Sequence, residues 1–357
     1  MNAVRRSTVL FLALLCTLAL SALLPGCGAP APAETPSPVP EPSAAPAPTP
    51  SPTPSPTPAP TPVPKNEIRL SDGEEIDWPC GTPWTDPGWT AFGRDGEDCS
   101  EAVEVSGRIR EWRAGEQTLT YTLSDETGEI ASAERTVHVI PQGLPEPVEP
   151  APGTIYLTFD DGPGPYTDEV LEILARYDVK ATFFVVLSQT KHLNKLQHIL
   201  DGGHTIGIHA HWHPSQDFTW LYKNEDNFFT DFMEAQQILH DTTGTWAYCA
   251  RFPGGGNTAS FLAGTLDGGY EELYGILEDM GVRSFDWNVQ PESSTRTTEG
   301  TILDFTHALR PDGVFVVLQH DIRLYSVAAL EQMIQYALEN GYTFSRIEPD
   351  TPAVHFN

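Results

Sequence analysis

Thr154-Ile155-Tyr156-Leu157-Thr158-Phe159-Asp160-Asp161-Gly162-Pro163 is an apolar, aromatic and β-branched run that stops on two adjacent acids and a Gly-Pro break. It reads as a buried strand whose end carries chemistry. Neighbouring carboxylates repel, so keeping both at a strand end makes sense if a cation or a proton holds them, one as ligand and one as base. The plain alternative is an Asp-Gly turn with two solvated acids. Strand-like runs recur at 181–186, 205–208, 247–252, 283–289, 314–320 and 343–347, and helical patterns lie between them at 167–177, 227–241, 270–280 and 327–340. Seven β/α units over about 205 residues predict a parallel, barrel-like α/β domain, whose chemistry belongs at the carboxyl ends of its strands.

The third of these strands runs into Ile206-Gly207-Ile208-His209-Ala210-His211-Trp212-His213-Pro214. On a helix His209 and His213 would share a face and His211 would not; on an extended strand all three would share one. Pro214 biases His213 away from the α region, so a strand-to-loop turn is expected in which two histidines converge and His211 is the odd one out. Two neutral imidazoles and a carboxylate make a three-ligand metal site with a fourth position open for water. The later strands end on Arg251-Phe252-Pro253-Gly254-Gly255-Gly256, on Phe285-Asp286-Trp287-Asn288 and on Leu318-Gln319-His320-Asp321. An arginine, a carboxylate beside an aromatic wall, and a histidine thus reach one face of the same barrel, which packing alone does not predict.

Upstream, Thr118–Leu123 and Glu134–Ile140 alternate apolar and polar residues around the turn Asp125-Glu126-Thr127-Gly128, a hairpin pattern within a small β-sandwich. Trp84 and Trp89 are expected on its surface, which leaves a glycan-binding role open beside that of a spacer. Cys80 and Cys99 fall in this segment, where a bridge would close a loop worth roughly 3 kcal/mol; bridged and free forms both remain open. Cys249 reads as a buried core thiol.

Sixteen of the chain's 33 prolines lie between Pro30 and Pro64. Proline at nearly every second position forbids helix and ladder and favours an extended, disordered stalk reaching on the order of 100 Å. Before it, Arg5 and Arg6, an apolar run from Val9 to Leu24, and Leu24-Pro25-Gly26-Cys27 read as a signal peptide, the run being too short for a membrane helix. The chain carries 49 acidic against 20 basic residues, a net charge of -29. Such a surface lacks the cations that neutralise phosphates, so nucleic acid is excluded as an expected partner.

With these residues in place, the segment from 153 to about 349 resembles the NodB-homology polysaccharide deacetylases, carbohydrate esterase family 4. The five motifs T-F-D-D-G-P, H-x-x-x-H-P, R-F-P-G-G, D-W and L-x-H-D stand in order. The resemblance implies a distorted (β/α)7 barrel with Asp160 as general base, Asp161, His209 and His213 as metal ligands, and Arg251 orienting the base. It further implies Asp286 tuning a catalytic His320, Trp287 walling the groove, Leu318 in the acetyl-methyl pocket, and Gly254 supplying an oxyanion donor. Gly254 replaces the tyrosine of many members, and Arg283 stands where the fuller fourth motif has another aspartate. Leu24-Pro25-Gly26-Cys27 resembles a lipobox, and residues 66–141 resemble bacterial surface Ig-like repeats, with Asp86-Pro87-Gly88 early and Ala114–Asp125 late.

The organisation expected is a lipoprotein signal peptide over 1–26, a linker over 27–65, the Ig-like domain over 66–141, a second linker over 142–152 and the deacetylase domain over 153–357. One divalent ion is expected, zinc on ligand grounds, with cobalt, manganese or nickel fitting nearly as well. The implied activity is removal of N-acetyl groups from an N-acetylglucosamine polymer, peptidoglycan first. An O-acetyl xylan-type esterase and a non-catalytic surface glycan binder are the alternatives. Trp212, Trp220 and Tyr222 are candidates for stacking on sugar rings. The expected location is the outer face of a Gram-positive-type membrane through a lipid on Cys27, with plain secretion as the alternative.

Overall fold

A computed structural model describes residues 64–213, 218–262, 269–292 and 294–356. The signal segment, Cys27 and the linker as far as residue 63 lie outside the described residues. Among the described residues no helix is long and apolar enough to cross a membrane.

The alternating runs near the start form six strands: β1 (Glu67–Leu70), β2 (Glu75–Pro79), β3 (Trp89–Phe92), β4 (Val103–Ser106), β5 (Gly115–Asp125) and β6 (Gly128–Ile140). β1 pairs with β3, and the other four make a sheet in the order β2-β6-β5-β4, with β2 parallel to β6. Leu119, Tyr121 and Leu123 on β5 and Arg135, Val137 and Val139 on β6 are buried while their neighbours are not, the period of two read in the sequence. The β5–β6 turn is closed by the Asp125 carboxylate, which accepts the Thr127 N–H at 2.7 Å, and by Gly128 at φ 117°. One expectation changes here and one open question closes. Trp84 and Trp89 are half-buried in the packing of this module, Trp84 edge-on to Trp78 and Trp89 tilted against Tyr121, with its indole N–H donated to Ser100 O. Cys80 and Cys99 are both free: the Cys80 thiol points to Trp112 O at 3.3 Å, and that of Cys99 to Glu97.

The remaining strands are β7 (Thr154–Asp160), β8 (Thr182–Val186), β9 (Thr205–Ala210), β10 (Cys249–Ala250), β11 (Arg283–Ser284), β12 (Phe315–His320) and β13 (Thr343–Ser345). The helices are α1 (Thr167–Arg176), α2 (Asn194–Asp201), α3 (Glu225–Thr243), α4 (Gly255–Leu262), α5 (Gly269–Asp279), α6 (Thr298–Ala308) and α7 (Leu324–Glu339). The sheet order is β11-β10-β9-β8-β7-β12, all parallel, with β13 beside the first half of β7. Every residue of β7, β8, β9 and β12 is buried, as a parallel sheet covered on both faces requires. The sheet curls until Val289 bridges to Val317 of β12, with the Leu318 N–H donated to Val289 O at 2.9 Å. The strands expected at 247–252 and 283–289 are shorter than their sequence pattern, reduced to Cys249–Ala250 and Arg283–Ser284, with Pro253 unable to donate to a further ladder. Cys249 is wholly buried, and burial raises its thiol far above the usual range.

Candidate active site

β7 delivers Asp160 and Asp161 to the carboxyl face. Asp160 is buried, and its Oδ1 accepts a hydrogen bond from Arg251 Nη1 at 2.8 Å. Arg251 is fully buried and held on every side: Nη1 also donates to Thr158 Oγ1 at 2.7 Å, Nε to Phe285 O at 2.9 Å and Nη2 to Asp286 O at 2.9 Å. Asp161 takes a left-handed backbone at φ 70°, a conformation costing a non-glycine residue about 1–3 kcal/mol and concentrated at functional sites. A Cβ on Gly162 would run into the Asp321 carboxylate, so only glycine fits there. Asp321 is buried and accepts the Thr167 hydroxyl at 2.5 Å; burial nonetheless raises its carboxyl to about 7.

β9 carries the first histidine as its next-to-last residue. His209 Nδ1 donates to Arg251 O at 2.8 Å, which turns Nε2 toward Asp161, 3.6 Å from Oδ1. His213 Nε2 lies 3.7 Å from the same oxygen. One donor atom from each of Asp161, His209 and His213 falls within 4.8 Å of the other two. A tetrahedral ion with ligands at about 2.0–2.2 Å separates its donors by roughly 3.3–3.6 Å, close to the 3.6 and 3.7 Å from Asp161 Oδ1 to the two imidazoles, so the three could hold a divalent cation. Burial disfavours the charge on Asp161, but His209, His320 and His213 outweigh it and hold its carboxyl below the usual range. Burial, then the neighbouring His209, lowers His213, the direction that favours the neutral imidazole a metal ligand needs. His211 turns away, its Nε2 3.6 Å from Glu234. The turn between the histidines is clamped by Asp231 of α3, whose two oxygens accept the N–H groups of His211 at 2.8 Å and Trp212 at 2.9 Å.

His320, at the end of β12, presents Nε2 3.7 Å from Asp161 Oδ2. The carboxylate at its Nδ1 is Glu292, at 2.9 Å, and not Asp286. Glu292 Oε1 also accepts the His320 backbone N–H at 3.0 Å, and Arg323 donates to Oε2 at 2.6 Å. Burial works against the Glu292 charge, yet His320, Ser326 and Arg323 hold its carboxyl down at about 2. Asp286 has another task. Its oxygens accept Gly256 N–H at 2.7 Å and Phe356 N–H at 3.0 Å, while its own N–H is donated to Val354 O at 2.6 Å. The last described residues are thereby laid beside Trp287, which meets Phe356 edge-on at 4.8 Å. Glu292 follows Pro291 in the segment between β11 and α6; a lone acid in a connecting segment carries no local pattern that marks it.

A cavity of about 240 Å³ opens among these groups. Asp160, Asp161, His209, His213, Gly254, Trp287, Leu318 and His320 all line it, so the structure brings together every proposed site residue except Arg251 and Asp286, which stand behind the wall. Trp212 and Trp220 are about half exposed and meet edge-on at 6.3 Å. Tyr222, by contrast, is fully buried and donates its hydroxyl to Pro253 O, so it is a packing residue with no face for a sugar.

Comparisons with known proteins agree with this arrangement. The family described as polysaccharide deacetylase matches residues 148–273, and that described as bacterial surface protein, Ig-like domain, matches 68–139. A peptidoglycan-N-acetylglucosamine deacetylase of Bacillus cereus is 33 % identical over 196 residues, 53 % of this chain and 67 % of that protein. The peptidoglycan-N-acetylglucosamine deacetylase PgdA of Listeria monocytogenes is 28 % identical over 196 residues, 54 % of this chain and 38 % of that protein. The crystal structure of the catalytic domain of a peptidoglycan N-acetylglucosamine deacetylase from Eubacterium rectale superposes with a TM-score of 0.54 at 35 % identity, over 60 % of this chain and 96 % of that one. The chain belongs to the polysaccharide deacetylases of the NodB-homology type, carbohydrate esterase family 4, with a bacterial surface Ig-like domain ahead of the deacetylase domain.

Proposed function

We propose that the chain is a metal-dependent hydrolase that removes N-acetyl groups from an extracellular N-acetylglucosamine polymer, with peptidoglycan as the first substrate. The observation that carries the reading is the convergence of Asp161, His209 and His213 on one point, with Asp160 and His320 lining the same cavity. An amide carbonyl is a poor electrophile and an amine a poor leaving group, so both ends of the bond need help. A divalent ion held by Asp161, His209 and His213, zinc on ligand grounds, would supply a water of pKa near about 7 and polarise the acetyl oxygen. Asp160, fixed by Arg251, takes the proton of the attacking water. The backbone N–H of Gly254 serves the developing oxyanion, and Leu318 accepts the methyl group. His320, steered by Glu292 at Nδ1, gives its Nε2 proton to the nitrogen as the C–N bond breaks. Acetate and a free amine on the sugar result.

The segment Leu24-Pro25-Gly26-Cys27 and the proline-rich stretch after it support attachment to the outer face of a membrane through a lipid on Cys27, with the catalytic part held out into the wall. The deciding experiment is acetate release from N-acetylglucosamine oligomers and from peptidoglycan, before and after chelation, beside acetyl-xylan. Release from the amide substrates that chelation abolishes supports the reading. Release from acetyl-xylan alone would move it to an O-acetyl esterase, and release indifferent to chelation would overturn the metal role.

A further inference from the structure

The Ig-like module, read from the sequence as a spacer or a glycan binder, is bound to the deacetylase domain. Trp112, fully buried, stacks on Phe229 of α3 with ring centres 5.9 Å apart and planes 17° off parallel. Beside it Arg110 grips Asp226 through two nitrogens, at 2.7 and 3.1 Å, and Arg113 Nη1 reaches Glu225 at 2.8 Å and Glu272 of α5 at 2.5 Å. Glu225 and Asp226 form the first turn of α3, where acids already suit the helix dipole. Exposed ion pairs taken singly contribute little. These form a network around a buried indole, with one guanidinium serving two helices. A second patch joins the Gln142 N–H to Asp279 O at 2.8 Å and the Gln142 side chain to Cys80 O.

The helix gripped in this way also supports the site. Asp231, two residues after Phe229, holds the His211 and Trp212 N–H groups between the two candidate ligands. Phe228 packs against Tyr222 and Phe252, and Tyr222 in turn bonds to Pro253 O beside Gly254. We propose that the Ig-like module is a brace for the metal-ligand loop: Trp112, Arg110 and Arg113 fix α3, and Asp231 of α3 is the positioning residue that fixes His209 and His213. This rests on the reading of Asp161, His209 and His213 as metal ligands.

The test uses the full chain, zinc as the probe in competition with a fluorescent chelator, and hydrogen–deuterium exchange of residues 209–213. Asp231→Asn leaves one acceptor oxygen for two N–H groups; it is expected to weaken zinc binding about tenfold or more, the scale set by partners of metal ligands, and to speed exchange of the loop. The pair Arg110→Ala and Arg113→Ala shifts both readouts in the same direction by a smaller factor. Arg110→Asp does likewise, and adding Asp226→Arg restores them. Arg94→Ala, which breaks an ion pair with Asp125 in the same module, changes neither. The brace is refuted if the arginine pair leaves zinc affinity and loop exchange at wild-type values, or if Asp231→Asn does. Absence of zinc binding in the wild-type chain would instead sink the metal reading, and loop exchange would still decide the brace.

Discussion

Glu292 sits 2.9 Å from His320 Nδ1 with one oxygen and accepts the backbone N–H of that same residue with the other, so a single carboxylate sets both the place and the orientation of the imidazole. The expected partner, Asp286, is engaged elsewhere. Glu292→Gln is therefore expected to lower kcat about 10- to 100-fold with little change in KM, within the range of a positioned acid–base group. Asp286→Asn should act differently, moving KM more than kcat because it loosens the wall at Trp287. Steady-state kinetics of the two variants on one oligomer, compared side by side, checks this.

The same carboxylate links stability to acidity. Its folded-state value of about 2 lies below the ordinary 4.5 of glutamate, so its ionised form contributes stability that is present above about 4.5 and lost as pH falls toward 2. Urea unfolding midpoints of wild type and Glu292→Gln are expected to differ most near neutrality and to converge on acidification. A gap that widens in acid would contradict the assignment.

Metal dependence should separate His213 from His211. Chelation, His213→Ala and Asp161→Ala are expected to abolish acetate release, and zinc should restore only the chelated wild type. His211→Ala should stay within a few-fold of wild type, since His211 pairs with Glu234 away from the cavity. Acetate assays and zinc titration of the four proteins decide it.

The exposed pair Trp212 and Trp220 predicts a length effect. Trp212→Ala is expected to raise KM on long oligomers by about 2- to 10-fold, the value of one aromatic contact, and to leave kcat alone. Equal KM for mutant and wild type across oligomer lengths would remove the pair from the binding surface.

Two glycines give opposite stability predictions. Gly162→Ala forces a methyl group into the Asp321 carboxylate and should destabilise the fold and silence the site together. Gly275→Ala, on α5 with open space around it, should stabilise by up to about 1 kcal/mol. Thermal melts of both variants provide the check.

Most of the scaffold could be read before any coordinates. The continuous apolar strand of β7 and the alternating hairpin of β5 and β6 have periods that local sequence carries directly, and the ordered motifs put Asp160, Asp161, His209, His213 and His320 on one face. Glu292 and Asp231 were invisible because their roles depend on which backbone groups tertiary folding sets in front of an otherwise ordinary acid. Trp84, Trp89 and Tyr222 went the other way: aromatic residues suggest binding in a sequence, and whether a neighbour such as Trp78, Tyr121 or Phe228 covers them is decided only by packing.

The docking of Val354 and Phe356 on Asp286 and Trp287 bears on how the protein can be handled. A purification tag fused directly after these residues would emerge at the lip of the groove and compete with incoming glycan. Weak turnover measured on such a fusion would then report an obstruction at the doorway, with the chemistry behind it intact.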